Sequence, residues 1–187
     1  LTSGENNTAS GSYSAVLGGD NNTARSPRSA VLGGSNNTAS NAYSAVLGGI
    51  GNTASGSFSA VLGGKNNTAS GNGSVVLDGE NNTASGYRSV VLGGIGNTAS
   101  NYQIKMGRYS LEGTAGSSTG TTGDVLTVGI GTDSARKNGF RVDYSGRGYF
   151  GYSVSGTGAD GAELAEWQDG NPDNEDRIGH FVTFVGE

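Results

Sequence analysis

The stretch Asn52-Thr-Ala-Ser-Gly-Ser-Phe-Ser-Ala-Val-Leu-Gly-Gly-Lys-Asn66 decides the fold, because the chain repeats it at a fixed interval. The triplet Asn-Thr-Ala recurs every fifteen residues, at Asn7, Asn22, Asn37, Asn52, Asn67, Asn82 and Asn97. A second block, Ser-Ala-Val-Leu-Gly-Gly or a close variant, starts at Ser14, Ser29, Ser44, Ser59, Ser74 and Ser89. Fifteen residues are too few for a helical hairpin, but they fit two short strands and two tight turns, with Gly-Gly pairs supplying φ > 0. The period therefore predicts a β-solenoid, in which each coil pairs with the coils above and below it.

The alternation of side chains along the second block assigns them to the two faces of a strand. We expect strands of about five residues, each roughly 17 Å long. Ala15 and Leu17 are then predicted to fill the roll together with Ala9, whereas Ser14 and Val16 point to the other side. One outward Val per coil is an apolar stripe that its own chain cannot cover. We therefore predict a trimer core formed by Val16, Val31, Val46, Val61, Val76 and Val91, although alternation alone allows two chains as readily as three.

The composition excludes several classes of protein. Gly makes up 36 of 187 residues, but the chain has no Gly-X-Y period and only 2 Pro, so it is not a collagen. Apolar residues are 33% of the chain, which is low for a monomeric globule and favours a core shared between chains. The absence of Cys excludes disulfides and thiolate metal sites. No run of about 18 apolar residues is present, so we expect no membrane insertion.

The charges separate the chain into two parts. The net charge of −5 arises after residue 101, because residues 1–101 carry four acidic and four basic side chains. The lack of a basic patch argues against nucleic acid as a partner, and a neutral polar repeat surface favours proteins or glycans. The N-terminal Leu1-Thr2-Ser3-Gly4 lacks a signal-peptide pattern and already belongs to the repeat, so we expect a fragment of a longer protein.

Over residues 1–101 the block Asn-x-Ala-Ser-Gly-x-x-Ser-Ala-Val-Leu-Gly resembles the head repeat of the YadA-like trimeric autotransporter adhesins. The chain departs from that family in having Val-Leu where the family often has Ala-Ile. The resemblance implies an all-β fold: a left-handed parallel β-roll that forms an intertwined homotrimeric fibre. It also implies display on a surface, where such heads often bind host matrix.

Two interpretations of the repeat surface stay open. The repeats are either a stalk without a ligand or a binding surface for a host cell-surface glycan or protein. Side chains between the two blocks either contact that ligand or pack against neighbouring subunits: Tyr13, Arg28, Tyr43, Phe58, Tyr87 and Arg88. The triplet Asn6-Asn7-Thr8 and its copies match the glycosylation sequon. We expect these Asn residues instead to cap turns or to form a hydrogen-bonded ladder along the stack.

The repeat ends after residue 101. Tyr102–Gly107 is a degraded copy, and residues 102–123 are predicted to be a neck or linker, with a flexible connection over Glu112–Gly123. Residues 124–157 contain short strand-like runs at Val125–Ile130, Phe140–Tyr144 and Gly148–Val154. We interpret these as intertwined strands that continue the fibre, and no helix longer than two turns is suggested before residue 160.

Residues 158–187 resemble the start of the peptidase G2 family, the self-cleaving intramolecular chaperone domain of phage tail-spike and neck-appendage proteins. The matching residues are Gly-Ala-Asp-x-Ala-Glu at 158–163, Glu166-Trp167, Asp169-Gly170-Asn171-Pro172, Glu175-Asp176-Arg177, Gly179 and Phe181-Val182-Thr183. The resemblance implies cleavage of the Ala159–Asp160 bond, with Asp160 and Glu163 as catalytic residues. A carboxylate with a raised pKa is chemically suited to general acid or base catalysis of amide cleavage. The alternative is that both are solvated acids on a loop.

A calcium site is a further alternative in this segment. Asp169, Asn171, Asp173 and Glu175 have the spacing of an EF-hand start, but the sixth-position Gly and the twelfth-position Glu are missing. His180 has no Ser or Cys partner pattern, so a catalytic triad is not indicated. We predict no cofactor and no metal.

The sequence as a whole predicts a structural and adhesive fibre module of a phage or prophage tail or neck appendage. Such a module would lie on a virion appendage or a cell surface and would attach to the host. A self-processing protein and a bacterial trimeric surface adhesin are the alternatives.

Overall fold

The computed structural model describes residues 4–110, 124–132, 134–135, 138–143, 146, 148–152 and 161–164. Within these ranges the protein is all-β and contains no helix. The strands form a seven-stranded and an eleven-stranded sheet. The smaller sheet consists of β1 (Thr8–Ala9), β3 (Thr23–Ala24), β5 (Thr38–Ala39), β7 (Thr53–Ala54), β9 (Thr68–Ala69), β11 (Thr83–Ala84) and β13 (Thr98–Ala99). The solenoid part of the larger sheet consists of β2 (Ala15–Val16), β4 (Ala30–Val31), β6 (Ala45–Val46), β8 (Ala60–Val61), β10 (Val75–Val76) and β12 (Val90–Val91).

The predicted parallel β-solenoid is confirmed, with about seven coils of fifteen residues. Each strand pairs in parallel with the equivalent strand of the next coil, as in Ala45 with Ala60 and Thr53 with Thr68. The strands hold two residues rather than the expected five. They are short because every coil contains at least three positions with φ > 0, which turn the chain away from extended geometry. In one coil these are Gly49, Gly51 and Phe58, with φ of 87°, 69° and 58°.

The second glycine of each Gly-Gly pair is required by both conformation and space. Gly49 has φ of +87°, and a Cβ atom built on it would lie 2.2 Å from the carbonyl oxygen of Gly64 in the next coil. Gly48 has no such restriction, since a Cβ there would meet nothing within 4 Å. The stack therefore depends on the second glycine, which lets successive coils approach at strand spacing.

The Val residues point into the core of the roll, and not outward as the alternation predicts. The Val column lies inside the roll, at most 1% exposed, and packs with a fully buried Ala column from the smaller sheet. The outer face instead carries half-buried Ala15 and its equivalents and exposed Leu residues, 40–47% accessible at Leu17, Leu32, Leu47, Leu62 and Leu92. The predicted assignment of Val16 through Val91 to an intersubunit core is therefore wrong, because one chain buries them completely. The prediction that the Ala of the facing strand fills the roll holds for Ala24 and its successors.

A buried ladder of Asn side chains runs along the stack, as expected. The Asn52 backbone N–H donates to Asn37 Oδ1 at 2.9 Å, and Asn52 Oδ1 accepts from the Asn67 N–H at 2.9 Å. The Asn52 amide group also donates to the carbonyl oxygens of Gly48, at 3.0 Å, and Gly64, at 2.9 Å. The side chain is fully buried, so these bonds satisfy polar groups that water cannot reach.

Beyond the repeats the larger sheet continues through β14 (Ile104–Arg108), β15 (Asp124–Ile130), β16 (Asn138–Asp143), β17 (Gly148–Tyr152) and β18 (Gly161–Leu164). β14 and β15 extend the parallel stack, whereas β15 to β18 pair antiparallel in chain order. The three runs expected after residue 123 thus correspond to β15, β16 and β17. These strands pair within one chain, and their intertwining between chains stays a prediction.

Candidate functional site: an exposed column of aromatic and arginine side chains

One corner of the solenoid carries a column of residues in an unusual backbone conformation, and most of them have large, exposed side chains. The corner lies between the strands of the smaller sheet and the next strands of the larger sheet. Its column positions are Tyr13, Arg28, Tyr43, Phe58, Gly73, Arg88 and Tyr102, and each has φ between 49° and 67°. We call these seven residues the corner column.

The local sequence explains why the chain turns at this corner. In the coil of Arg28, the Ser29 N–H donates to the Ser26 carbonyl oxygen at 3.1 Å, which closes a four-residue turn. Pro27 occupies the second position, where its fixed φ is favourable, and Arg28 the third. The Ser29 hydroxyl adds a 2.7 Å bond to the same carbonyl oxygen. A turn whose third residue has φ > 0 normally takes Gly or Asn there.

Aromatic residues and Arg in this conformation are uncommon, and each costs of the order of 1–2 kcal/mol relative to a relaxed backbone. The other non-glycine φ > 0 positions of the repeat are Asn, which tolerates the conformation. Gly73 shows that the corner also forms with no side chain at all. Large side chains in the corner column are thus not needed to form the turn, and strained backbone of this kind is concentrated at functional sites.

The N-terminal half of the corner column is a continuous stack. The guanidinium of Arg28 lies 5.6 Å from the ring centroid of Tyr13 and 5.2 Å from that of Tyr43. Its Nη1 also donates to the Tyr43 hydroxyl at 2.9 Å. The rings of Tyr43 and Phe58 are stacked, with centroids 4.8 Å apart and planes 10° apart. Such cation–π and stacking contacts order the side chains along the solenoid axis.

The C-terminal half of the corner column is built differently. Tyr87, the residue before Arg88, contacts the Arg88 guanidinium at 5.1 Å and the Tyr102 ring edge-on at 5.4 Å. Between the two halves stands Gly73, where the stack has no side chain. Tyr13 is 86% and Phe58 60% exposed, so the corner column presents apolar surface to solvent together with two cationic groups.

Sequence reasoning found these side chains but not their arrangement. The six large side chains that the sequence places between the two repeat blocks are all exposed: Tyr13, Arg28, Tyr43, Phe58, Tyr87 and Arg88. The fifteen-residue spacing of Tyr13, Arg28, Tyr43, Phe58, Gly73 and Arg88 was the signal that they form one column. The missing side chain at Gly73 was visible in that same spacing.

Of the two predicted catalytic residues, the structure describes Glu163 but not Asp160. Glu163 belongs to β18 and is opposite Phe150 of β17. The backbone is extended over Gly161–Leu164, so this part of the segment is a strand and not a helix. Asp160, the Ala159–Asp160 bond, the calcium-like stretch 169–175 and His180 lie outside the described residues. Self-cleavage and calcium binding therefore stay predictions.

Other site classes are not indicated in the described part of the chain. It contains no group of three or more His, Cys, Asp or Glu side chains arranged to hold a metal ion. Its described elements also include no helix that could cross a lipid bilayer. Comparisons with protein-family models and with curated proteins found no match to this chain.

Proposed function

We propose that this chain is a structural and adhesive fibre module, which self-associates into a homotrimer and attaches a phage or prophage appendage to a host surface. The observation that carries the proposal is the continuous apolar outer face of the larger sheet. Trimeric state and phage origin follow from the resemblances to YadA-like heads and to the self-cleaving chaperone family. The corresponding location is a virion appendage or a cell surface.

The outer face has the properties of a subunit interface. Exposed Leu17, Leu32, Leu47, Leu62 and Leu92 form one column, and half-buried Ala or Val residues form a second column beside it. Ile104, 36% exposed, continues the second column opposite Val90, and Leu126 follows opposite Ile104. The face extends over seven inter-strand steps, or about 34 Å at about 4.8 Å per step. A contiguous apolar surface of this length is typical of an interaction site.

A second copy of the same chain is the partner that this face fits best. The face repeats one Leu and one Ala or Val per coil, so a partner with the same period meets an equivalent position at every coil. The face carries no charged side chain from Ala15 to Leu92, which allows close packing without burying charge. Removing these Leu side chains from water stabilises association by about 25 cal/mol per Å² of apolar surface.

The experiment is a measurement of mass in solution with light scattering after size exclusion, at micromolar protein concentration. We expect a species of three chains, each of 18.6 kDa. A folded monomer would contradict the proposal that the outer face is an interface. Attachment is tested separately by applying the labelled protein to an array of bacterial and animal surface glycans, where signal above that of a denatured sample is expected.

A further inference from the structure

We infer that the gap in the corner column at Gly73 is a binding slot for one sugar ring of an acidic glycan, between the ring of Phe58 and the guanidinium of Arg88. The inference rests on the proposed attachment function and names the ligand class for it. It concerns a single position, the only one of the seven in the corner column that has no side chain.

The gap has the thickness of one ring. Gly73 lies one coil after Phe58 and one coil before Arg88, so the layers of Phe58 and Arg88 are two coil steps apart, about 9.6 Å at about 4.8 Å per step. In the filled part of the column one step separates stacked groups, as shown by the 4.8 Å distance between the Tyr43 and Phe58 rings. A sugar ring inserted at the level of Gly73 would thus lie about one coil step from each of the two layers.

The backbone at Gly73 is held in place without a side chain. The Gly73 N–H donates to the Ser57 carbonyl oxygen at 2.9 Å, and the Arg88 N–H donates to the Asn72 carbonyl oxygen at 2.9 Å. The φ of Gly73 is 67°, close to that of Phe58. A Cβ atom built at Gly73 would meet only Arg88 Cγ, at 3.5 Å, within 4 Å. The coil is therefore regular here, and half-buried Gly73 leaves a side-chain position that is bordered by the stem of Arg88.

The groups around the gap fit a carboxylated sugar ring. Phe58 is stacked on Tyr43 on one face, and it is still 60% exposed, which leaves aromatic surface for a ligand. An aromatic face of this kind packs against the apolar C–H face of a pyranose. The guanidinium of Arg88 makes no hydrogen bond or ion pair with the described residues and lies over the Tyr87 ring, so its donors are available to a carboxylate. The Asn72 amide, exposed beside the gap, is a further donor and acceptor.

The charge of the corner column favours an anionic ligand. The column contains two cations, Arg28 and Arg88, and no acidic side chain. The acids of the repeats lie at the Gly-Gly turns, which follow the strands of the larger sheet, whereas the corner column precedes those strands. They are Glu5, Asp20, Asp78 and Glu80. An acidic sugar therefore meets attraction at the slot, and a neutral sugar of the same shape loses that contribution.

The chain offers a variant that fills the slot without disturbing the fold. Tyr occupies the same column position at Tyr13, Tyr43 and Tyr102 with φ of 58–60°, so Gly73→Tyr adds a ring in a conformation that the repeat already accepts. Arg88→Ala removes the cation. Lys65→Gln serves as the control, since it removes one positive charge at the Gly-Gly corner, where Lys65 pairs with Glu80 at 3.3 Å.

The experiment measures binding of the full chain to tri-galacturonate and 3′-sialyllactose by saturation-transfer NMR and calorimetry. Methyl-esterified tri-galacturonate and lactose are the neutral counterparts. We expect both acidic probes to bind the unmodified chain, and Gly73→Tyr and Arg88→Ala each to weaken binding at least about tenfold. Lys65→Gln should bind as the unmodified chain does, and the neutral probes should bind at least about tenfold more weakly.

Several results would overturn the inference. These are the absence of binding by either acidic probe, equal binding of the neutral probes, or undiminished binding by a folded Gly73→Tyr variant. A change in oligomeric state on Gly73→Tyr would assign the gap to a subunit contact instead. The proposed function fails independently: if the chain binds the acidic probes but does not attach to any surface glycan array, the slot stands and the attachment function does not.

Discussion

Val61 and Leu62 are neighbours in the chain, yet they lie on opposite faces of the larger sheet: Val61 is fully buried inside the roll and Leu62 is 41% exposed on its outer face. Adjacent strand residues always separate in this way. The same relationship holds in each coil of the repeat. It divides the apolar residues of this sheet into the Val residues of the core and the Leu residues of the outer face.

This division yields a matched pair of substitutions. We expect Val61→Asp to unfold the roll, because an unpaired carboxylate at a fully buried position costs more than about 4 kcal/mol. Leu62→Asp should leave the roll folded and weaken self-association at least about a hundredfold. Circular dichroism melting reports the first effect and light scattering the second. Equal oligomeric states for Leu62→Asp and the unmodified protein would show that the outer face is not an interface.

The Asn ladder predicts a stability effect at one repeat position and none at the position before it. Asn67→Ala removes the two bonds that its amide donates, to Gly63 and Gly79, and leaves the Asn82 N–H without its acceptor. With buried groups left unsatisfied, we expect a loss of about 3 kcal/mol in the free energy of unfolding, measured in urea.

Asn66→Gly is the control for this ladder. Asn66 is exposed with φ of 55°, and the chain has Gly at the equivalent positions Gly51 and Gly96. Its free energy of unfolding should stay within about 0.5 kcal/mol of the unmodified value. A similar loss for both variants would mean that the ladder is not what stabilises the stack.

The two glycines of one pair should respond differently to the same substitution. Gly49→Ala places a Cβ atom 2.2 Å from the Gly64 carbonyl oxygen and forces Ala to φ of +87°, so we expect a loss of at least about 3 kcal/mol. Gly48→Ala meets nothing within 4 Å and should be neutral or stabilising by up to about 1 kcal/mol. Thermal melting of the two variants tests this, and an equal response would disprove the close approach of coils at the second glycine.

Self-cleavage is tested by mass spectrometry of the purified chain. If Asp160 and Glu163 act as predicted, the 18.6 kDa chain separates into fragments that meet at the Ala159–Asp160 bond. Asp160→Asn and Glu163→Gln should then stop cleavage, whereas Asp173→Asn, which changes an acid outside the predicted pair, should not. An intact mass after prolonged incubation would contradict the prediction for this chain.

The sequence by itself determined the period, the parallel pairing of coils, the φ > 0 role of the Gly-Gly pair and the Asn ladder. These follow from local chemistry that repeats every fifteen residues, so each coil carries the same information. Which face of the strand is the inside was decided only by the tertiary structure. Alternation at Ser14, Ala15, Val16 and Leu17 defines two faces of the strand but does not say which face is buried. In the folded coil the Val side chain packs against the Ala of the opposite sheet, so the Val face is the inner one.

The corner column, too, could be predicted only in part from the sequence. Its spacing was readable from the sequence, but the stack of Tyr43 on Phe58 and the open level at Gly73 depend on backbone that turns left-handed at that corner. That conformation, rare for aromatic residues, is imposed by the stacked coils and not by the preference of any single residue. The sequence thus determined the coil, and the packing of one coil on the next decided which side chains lie in the core and which lie on the surface.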